Sequence, residues 1–422
     1  MAIGDSMYQG IRSLSFVPSM TAHSTPGQVA RALGLTMTVP DLSHPLLFDL
    51  EAEIRKGGLV RLLTHLRDIC RDNIQHWPLD KPWSRHEAFD NISIGGAGIA
   101  SLWNDTYDRH IGDVRSLMAQ LQAGGQSARD LLLLVAKLWY ALNNCYTLNP
   151  RHRGQQGDRS ALQQVADRKP RILLINIGSN EGLFRAGFLA NFSERTMDGV
   201  RGVRTLVAEL ADRLAELPDE VEQIVFNNLV QPRFMPNLMP NPEDLQTRTP
   251  ADYYLAYGPR AINSQFPIAG SDLQKFDNLV HEVNQDAEQI LRNKLGDRVR
   301  VADLYGMCAT LDGKHIARHG LPIPGTKLVL DNRALEPRPG GFTGGLASLD
   351  NMHPTVPGYA VIADVVLAAL GQPGLKTNKA DALAADPLLS NFPGRAVLGA
   401  SVQLAFLGSV LMSLEPEAVA IG

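Results

Sequence analysis

The segment Arg171–Gly178 (RILLINIG) constrains the fold most. It is a run of apolar, partly β-branched residues with no polar alternation, closed by a glycine. Such a run suits a strand covered on both faces, and strands of that kind belong to parallel sheets flanked by helices. Shorter runs at Asn91–Ile94, Ile224–Asn227 and Val299–Leu304 read as further strands. Helical spacing and start signals predict helices at Pro26–Leu33 (Thr25 as cap), Leu59–Gln75, Arg201–Glu216, Asp272–Leu295 and Val356–Leu370. Strands alternating with helices predict an α/β fold: three layers, α/β/α, around a flavodoxin-like parallel sheet.

The chain of 422 residues is longer than that core needs. Long helical or Pro/Asn-rich stretches between the strands, near 97–170 and 231–270, read as insertions over the core that roof a site at its edge. Residues 371–422 read as an appended tail. Its apolar stretch, Ala396–Ser413, reads mainly as a packed or amphipathic helix, with a membrane or partner contact over residues 396–413 as the alternative. Leu131–Leu142 is apolar but too short to span a bilayer and contains Lys137.

Charge and cysteine usage exclude several functions. Forty basic and forty-four acidic residues leave a formal net charge of -4, which gives no general attraction to nucleic acid. Three scattered cysteines, with no Cys-x-x-Cys among them, argue against a disulfide framework and a zinc knuckle. The first residues carry neither a basic region nor an apolar one, so no signal peptide is read. A cytoplasmic location is expected if Met1 is the natural start, and a secreted or periplasmic one if upstream residues are missing.

Several motifs fail on inspection. Gly96-Ala97-Gly98-Ile99-Ala100-Ser101 nearly matches a dinucleotide fingerprint, but serine stands at the third small position. Gly320–Lys327 looks like a phosphate loop, yet Thr326 precedes Lys327 and two prolines remove N–H donors. His315 and His319 have zinc-ligand spacing without the accompanying glutamate, and His86-Glu87 lacks its second histidine. No Gly-x-Ser-x-Gly elbow occurs. The reading therefore takes no cofactor and no metal.

Four short pieces do fit together: Gly4-Asp5-Ser6, Asn91-Ile-Ser-Ile-Gly95-Gly96-Ala97, Gly178-Ser179-Asn180-Glu181 and Asp350-Asn351-Met352-His353-Pro354. A serine hydroxyl needs a base, His353 can act as one if its tautomer is fixed, and Asp350 lies three positions before it, with two residues between them on one turn. A glycine turn and an asparagine amide supply donors for a developing oxyanion. Taken singly, each piece has a plainer reading as a turn serine, a helix cap or a loop hydrogen bond.

In this order the pieces resemble the GDSL, or SGNH-hydrolase, superfamily of esterases and lipases, over about residues 1–370. Met7 stands where the naming motif has leucine, and Glu181 where the third block usually has aspartate. The resemblance implies Ser6 as nucleophile, Asp350 and His353 as its triad partners, and an oxyanion hole from Ser6 N–H, Gly96 N–H and the Asn180 amide. The expected activity is cleavage of carboxylic esters through an acyl-enzyme. Carbohydrate O-deacetylation and thioester hydrolysis are alternatives on the same site, and a non-catalytic nucleotide-binding α/β protein is the alternative of a different class. The region around Trp139-Tyr140 lines an acyl pocket or belongs to the core.

Overall fold

The computed structural model describes residues 1–152, 154, 157–240, 254–255, 257, 268–314, 319–339 and 341–391. Its centre is a parallel sheet of β1 (Ala2–Gly4), β2 (Ile172–Asn176), β3 (Gln223–Asn227) and β4 (Val299–Ala302), adjacent in that order. Gly4 is in register with Asn176, Ile175 with Phe226, and Asn227 with Ala302. Beyond β1, the Asn91–Ile94 segment adds a parallel fifth member. Ala2 donates to Asp90 O, while Ile92 and Ile94 donate to Ala2 O and Gly4 O. In chain order the arrangement is 2-1-3-4-5, the flavodoxin-like order, whose ligand crevice lies at the carboxyl ends of the strands.

Alternate side chains of each strand point to opposite faces. Ala2, Leu174, Val225 and Ala302 meet Val29, Ala363, Val366 and Leu367, so one face is covered by the helices Thr25–Ala32 and Val356–Ala369. Ile3, Leu173, Ile175, Ile224, Phe226 and Val299 join the larger core, with Val203, Val207, Phe276 and Val280 from the helices Glu194–Ala215 and Gly270–Leu295. The three layers follow from that division. Burial on both faces explains why Leu173–Ile175 and Ile224–Phe226 read as unbroken apolar runs, whereas β4, last in the sheet order, carries the exposed Arg300.

The helix expected from Leu59 begins at Leu50, nine residues earlier, where Asp49 accepts from Ala52 N–H. Gly57 and Gly58 do not stop it, because Asp49 supplies the start signal and the tertiary core supplies the stability. The first described helix on the other face has Ser24, not Thr25, at its cap position. Thr25 instead donates to Tyr359 O.

Leu131–Leu142 lies within the helix Ala128–Leu148, which packs against the helix Tyr107–Ala123. By length and composition Ala128–Leu148 is apolar enough to cross a membrane, but about two thirds of its apolar window is buried inside the protein. Of the 231–270 stretch, the described part includes a short turn of helix at Pro232–Phe234. Residues 371–391 carry the helix Lys379–Ala385 and bury Leu388 and Leu389. The apolar stretch 396–413 lies outside the described residues.

Candidate active site

The site begins where β1 ends. Gly4 has φ 144°, and a Cβ there would lie 2.0 Å from Asn176 O, so only glycine brings the two strand ends this close. Asp5 then caps the short helix Ser6–Gln9, accepting from Met7 N–H at 3.0 Å. This puts Ser6, half-buried, at the first helical position, where its N–H is one of the helix's orphan donors. Among the described residues neither Ser6 Oγ nor Ser6 N–H makes a hydrogen bond.

A buried polar chain underlies this turn. Asn176 donates to Asp5 Oδ1 at 2.8 Å, Asn227 donates to Asn176 Oδ1 at 2.9 Å, and Tyr8 donates to Asn227 Oδ1 at 3.0 Å. The carboxyl ends of β1, β2 and β3 are thereby tied together. Burial pushes the Asp5 carboxyl up to about 6 against the opposing pull of Met7 N–H and Asn176.

The glycine block turns directly after the fifth strand segment. Gly95 N–H donates to Gln9 Oε1 at 2.7 Å, and Gln9 donates in turn to Asn143 and Thr147 on the Ala128–Leu148 helix. Gly96 has φ 84° and is exposed, with Tyr140 behind it, and its N–H has no acceptor among the described residues. Tyr140 donates to the buried Asp105 at 2.6 Å. Trp139 and Tyr140 thus belong to the packing behind the glycine turn.

After β2, Gly178 (φ 112°) leads into the turn Ser179–Glu181. Asn180 donates one amide hydrogen to Ala97 O at 2.7 Å, which orients the amide and leaves its second hydrogen available. Glu181 Oε1 accepts from Ile99 N–H at 2.5 Å. Burial pushes the Glu181 carboxyl up to about 7, opposed by that N–H. A carboxylate therefore already fills the turn of Gly96–Ser101, the place a bound pyrophosphate would need.

The last block forms a tight turn ahead of the Val356–Ala369 helix, which Thr355 caps. His353 Nδ1 lies 2.6 Å from Asp350 Oδ2, leaving Nε2 as the ring nitrogen free to take a proton. Asp350 also accepts from His353 N–H at 2.9 Å, Met352 N–H at 3.0 Å, Ser348 Oγ at 3.2 Å and Leu14 N–H at 2.7 Å. Burial alone would raise this carboxyl. His353 and the converging N–H groups outweigh burial and hold it below the ordinary aspartate value.

A cleft has Ser6, Asn180 and His353 on its walls, together with Asn176 and Asn227 and the apolar Leu183, Phe184 and Leu229. Gly96 is not among its lining residues. The expected nucleophile, base and amide donor therefore face one space, and the turn carrying the expected backbone donor Gly96 is joined to that wall by Asn180 on Ala97 O and held by Gln9 on Gly95 N–H.

Sequence reasoning did not find Asn176, Asn227, Ser348 or Leu14. Asn176 and Asn227 are strand-end amides whose signal was visible only as polar residues closing apolar runs. Leu14 carries none, because it acts through its backbone. Of the His315–His319 pair, His315 lies outside the described residues.

The family model described as GDSL-like Lipase/Acylhydrolase matches residues 1–366. No curated protein and no solved structure matches the chain.

Proposed function

The chain belongs to the GDSL-like lipase/acylhydrolase family of esterase- and lipase-type hydrolases, and from that premise we propose that it cleaves carboxylic esters through a Ser6 acyl-enzyme. The observation that carries the reading is the 2.6 Å His353–Asp350 contact on a cleft whose wall also holds Ser6.

Ser6 Oγ attacks the ester carbonyl while His353 Nε2 takes its proton. The Asp350 carboxylate fixes the imidazole tautomer and stabilises the imidazolium. Ser6 Oγ and His353 do not share a hydrogen bond before substrate arrives, as is common in unliganded hydrolases, where such contacts tighten in the Michaelis complex. The tetrahedral oxyanion takes hydrogen bonds from Ser6 N–H, Gly96 N–H and the second Asn180 hydrogen. All three are donors without another acceptor, so little reorganisation is needed as charge develops. Collapse of the intermediate expels the alcohol, which His353 protonates. Water, activated by the same imidazole, then frees the acid and restores Ser6.

The same acyl-transfer chemistry extends to thioesters and acetylated sugars, and the cleft next to Ser6 does not separate them. The nucleotide-binding alternative is disfavoured by Glu181, whose carboxylate occupies the glycine turn. Fluorophosphonate labelling tests the reading. Modification of Ser6, with loss of p-nitrophenyl ester hydrolysis in Ser6→Ala, is expected. A folded wild type that is neither labelled nor active on any ester or thioester would overturn it.

A further inference from the structure

Two successive glycines make the most pliable kind of backbone, yet a Gly96 N–H that stabilises an oxyanion needs a fixed peptide plane. What fixes it lies behind the cleft. Gly95 N–H donates to Gln9 Oε1 at 2.7 Å, and Gln9 is the last residue of the short helix that begins with Ser6. Gln9 and Asn143 are joined in a two-bond ring. Gln9 Nε2 donates to Asn143 Oδ1 at 2.7 Å, and Asn143 Nδ2 donates back to Gln9 Oε1 at 2.9 Å. Thr147, one turn further along the Ala128–Leu148 helix, accepts from Gln9 Nε2 at 3.2 Å and donates to Asn143 Oδ1 at 3.3 Å.

This ring has one workable orientation. Turning both amides over would keep their mutual bonds but set Gln9 Nε2 against Gly95 N–H, donor to donor. Gln9, Asn143 and Thr147 are all fully buried, on a helix that otherwise buries mainly apolar side chains such as Leu138 and Leu142. Apolar residues would fill that space without desolvating two amides and a hydroxyl, so packing alone does not explain the ring. Among the described residues, its one side-chain hydrogen bond beyond itself is to Gly95 N–H.

The same helix closes on the turn from a second side. A Cβ on Gly95 would lie 2.6 Å from Trp139, and one on Gly96 would lie 3.1 Å from Tyr140. Tyr140 is itself anchored: it donates to Asp105 at 2.6 Å and meets Ser101 Oγ at 3.3 Å, and Ser101 Oγ accepts from Gly98 N–H at 3.2 Å.

We propose that Asn143 is a positioning residue of the ester-cleaving site: through Gln9 it fixes Gly95 and so aims Gly96 N–H at the developing oxyanion. The inference rests on the Ser6 esterase reading. Asn143 is not on the cleft wall, so it acts only through Gln9. Because Gln9 shares the helix of Ser6, the ring also keeps the nucleophile and the oxyanion donor in step. The 97–170 insertion thus buttresses the site from behind.

The test compares the wild type with Asn143→Leu and Asn143→Asp. Leucine offers Gln9 no hydrogen bond, and aspartate, of the same size as asparagine, sets an oxygen against Gln9 Oε1. Fluorophosphonate labelling of Ser6, carried to completion, counts the folded sites. On the best p-nitrophenyl ester of the wild type, kcat per labelled Ser6 should fall roughly 10- to 100-fold, part of what deleting an oxyanion donor costs. KM should stay within about twofold, as for an interaction made only in the transition state. The second readout is Ki for an alkyl trifluoromethyl ketone. Ser6 Oγ adds to its carbonyl carbon, the serine proton passes to His353, and the carbonyl oxygen becomes an oxyanion. Ki should therefore rise in step with the fall in kcat/KM. In the wild type the Gly95 amide should be protected from hydrogen exchange, a measurement that stands even if both variants misfold.

An unchanged kcat per labelled Ser6 in a folded variant, a loss confined to KM, or a fallen kcat with an unmoved Ki would overturn the positioning role. So would rapid exchange of the Gly95 amide in the wild type. Each of these leaves the esterase reading intact. Absence of Ser6 labelling in the folded wild type would instead overturn the esterase reading beneath it.

Discussion

Leu14 donates its backbone N–H to Asp350 Oδ2 at 2.7 Å across 336 positions of sequence, and it does so from a backbone with φ 56°. Ser13 beside it has φ 47°, and Arg12 and Ser15 exchange hydrogen bonds across the pair. This is a two-residue turn of the mirror-image kind that normally selects asparagine and glycine. Residues with side chains pay on the order of 1–2 kcal/mol each for the left-handed region. The surroundings over-determine the strain: Ser13 N–H donates to Ser348 Oγ, Ser13 Oγ to Glu51, and Leu349 N–H to Ser13 Oγ. The strained turn thus delivers an N–H to the carboxylate that holds His353.

Leu14→Gly keeps that N–H and relieves the strain, so it should retain most activity. Leu14→Pro removes the donor and forbids the turn. Losing a hydrogen bond to a buried charge costs about 1.5–3 kcal/mol, so kcat should fall roughly 10- to 100-fold. Steady-state kinetics on both purified variants, with thermal melts, checks this. Equal loss in the two would show that the side chain, not the N–H, matters.

Asn180 has one hydrogen committed to Ala97 O and one to spare. Removing an oxyanion donor typically costs about 3–4 kcal/mol in the transition state, so Asn180→Ala should lower kcat roughly 100- to 1000-fold with little change in KM. Asn180→Asp should be at least as damaging, since an added carboxylate faces both Ala97 O and the developing negative charge. A change confined to KM would place Asn180 in substrate binding alone.

Glu181 stands where the family usually has aspartate, and its extra methylene is used: Oε1 reaches Ile99 N–H. Gly98 makes room, because a Cβ there would lie 2.9 Å from Oε1. Reverting to the family residue should therefore hurt. Glu181→Asp loses the Ile99 contact and loosens the glycine turn, whereas Glu181→Gln keeps an acceptor in place. A severalfold larger loss of kcat in Glu181→Asp is expected, and the reverse order would refute the account.

The layers and strands were legible because burial on both faces forces continuous apolar runs, as in Ile172–Asn176 and Gln223–Asn227. The four site blocks were legible because their chemistry and their glycines are written in residue types. Gly4, Gly96 and Gly178 all take positive φ at close approaches. What remained hidden acts through backbone or through distance. Leu14 looks like any leucine, and nothing local to Gln9 says that it reaches the Gly95 N–H.

Stability should depend on pH through Asp5, which is fully buried with Oδ2 unpartnered among the described residues. Its folded value of about 6 exceeds the ordinary 3.8, so the folded state binds the proton more tightly than the unfolded chain. Stability from this group therefore falls as pH rises from 3.8 to 6, and the full penalty persists above that. Asp350 has the opposite sign. It is held below its ordinary value, so its contribution is present at neutral pH and is lost only in acid, as pH falls through its folded value. Asp5→Asn should accordingly melt higher than wild type at pH 8, by at most on the order of 3 kcal/mol. The difference should vanish near pH 4. Melting curves across that range decide it, and a difference independent of pH would exclude the titration.

Asp386 lies beyond residue 366, where the family match ends, yet it is tied to the site from two sides. Its Oδ1 pairs with the buried Arg12 at 3.1 Å, and Arg12 pairs in turn with Glu51 at 2.6 Å. Its Oδ2 accepts from Val356 N–H at 2.7 Å, the first residue of the helix that follows His353. Arg12 opens the strained turn and Val356 opens the helix, so one carboxylate holds both neighbours of the Asp350–His353 pair. Two carboxylates share one guanidinium here. Burial pushes Glu51 up to about 7 despite Arg12, with Asp386 adding to the rise. The two acids are therefore not equivalent under mutation. Glu51→Gln leaves Arg12 paired with Asp386 and removes a charge the cluster holds poorly, so it should be mild. Asp386→Ala leaves the Val356 N–H unpartnered and breaks a buried pair, which typically costs about 3–5 kcal/mol. A chain ending at residue 370 should show at least that loss, because it also strips the buried Leu388 and Leu389 from the core. Denaturant unfolding of the three proteins measures the order. If the shortened chain proved as stable and as active as the full one, residues 371–391 would be a passenger on the family fold rather than part of what holds its site.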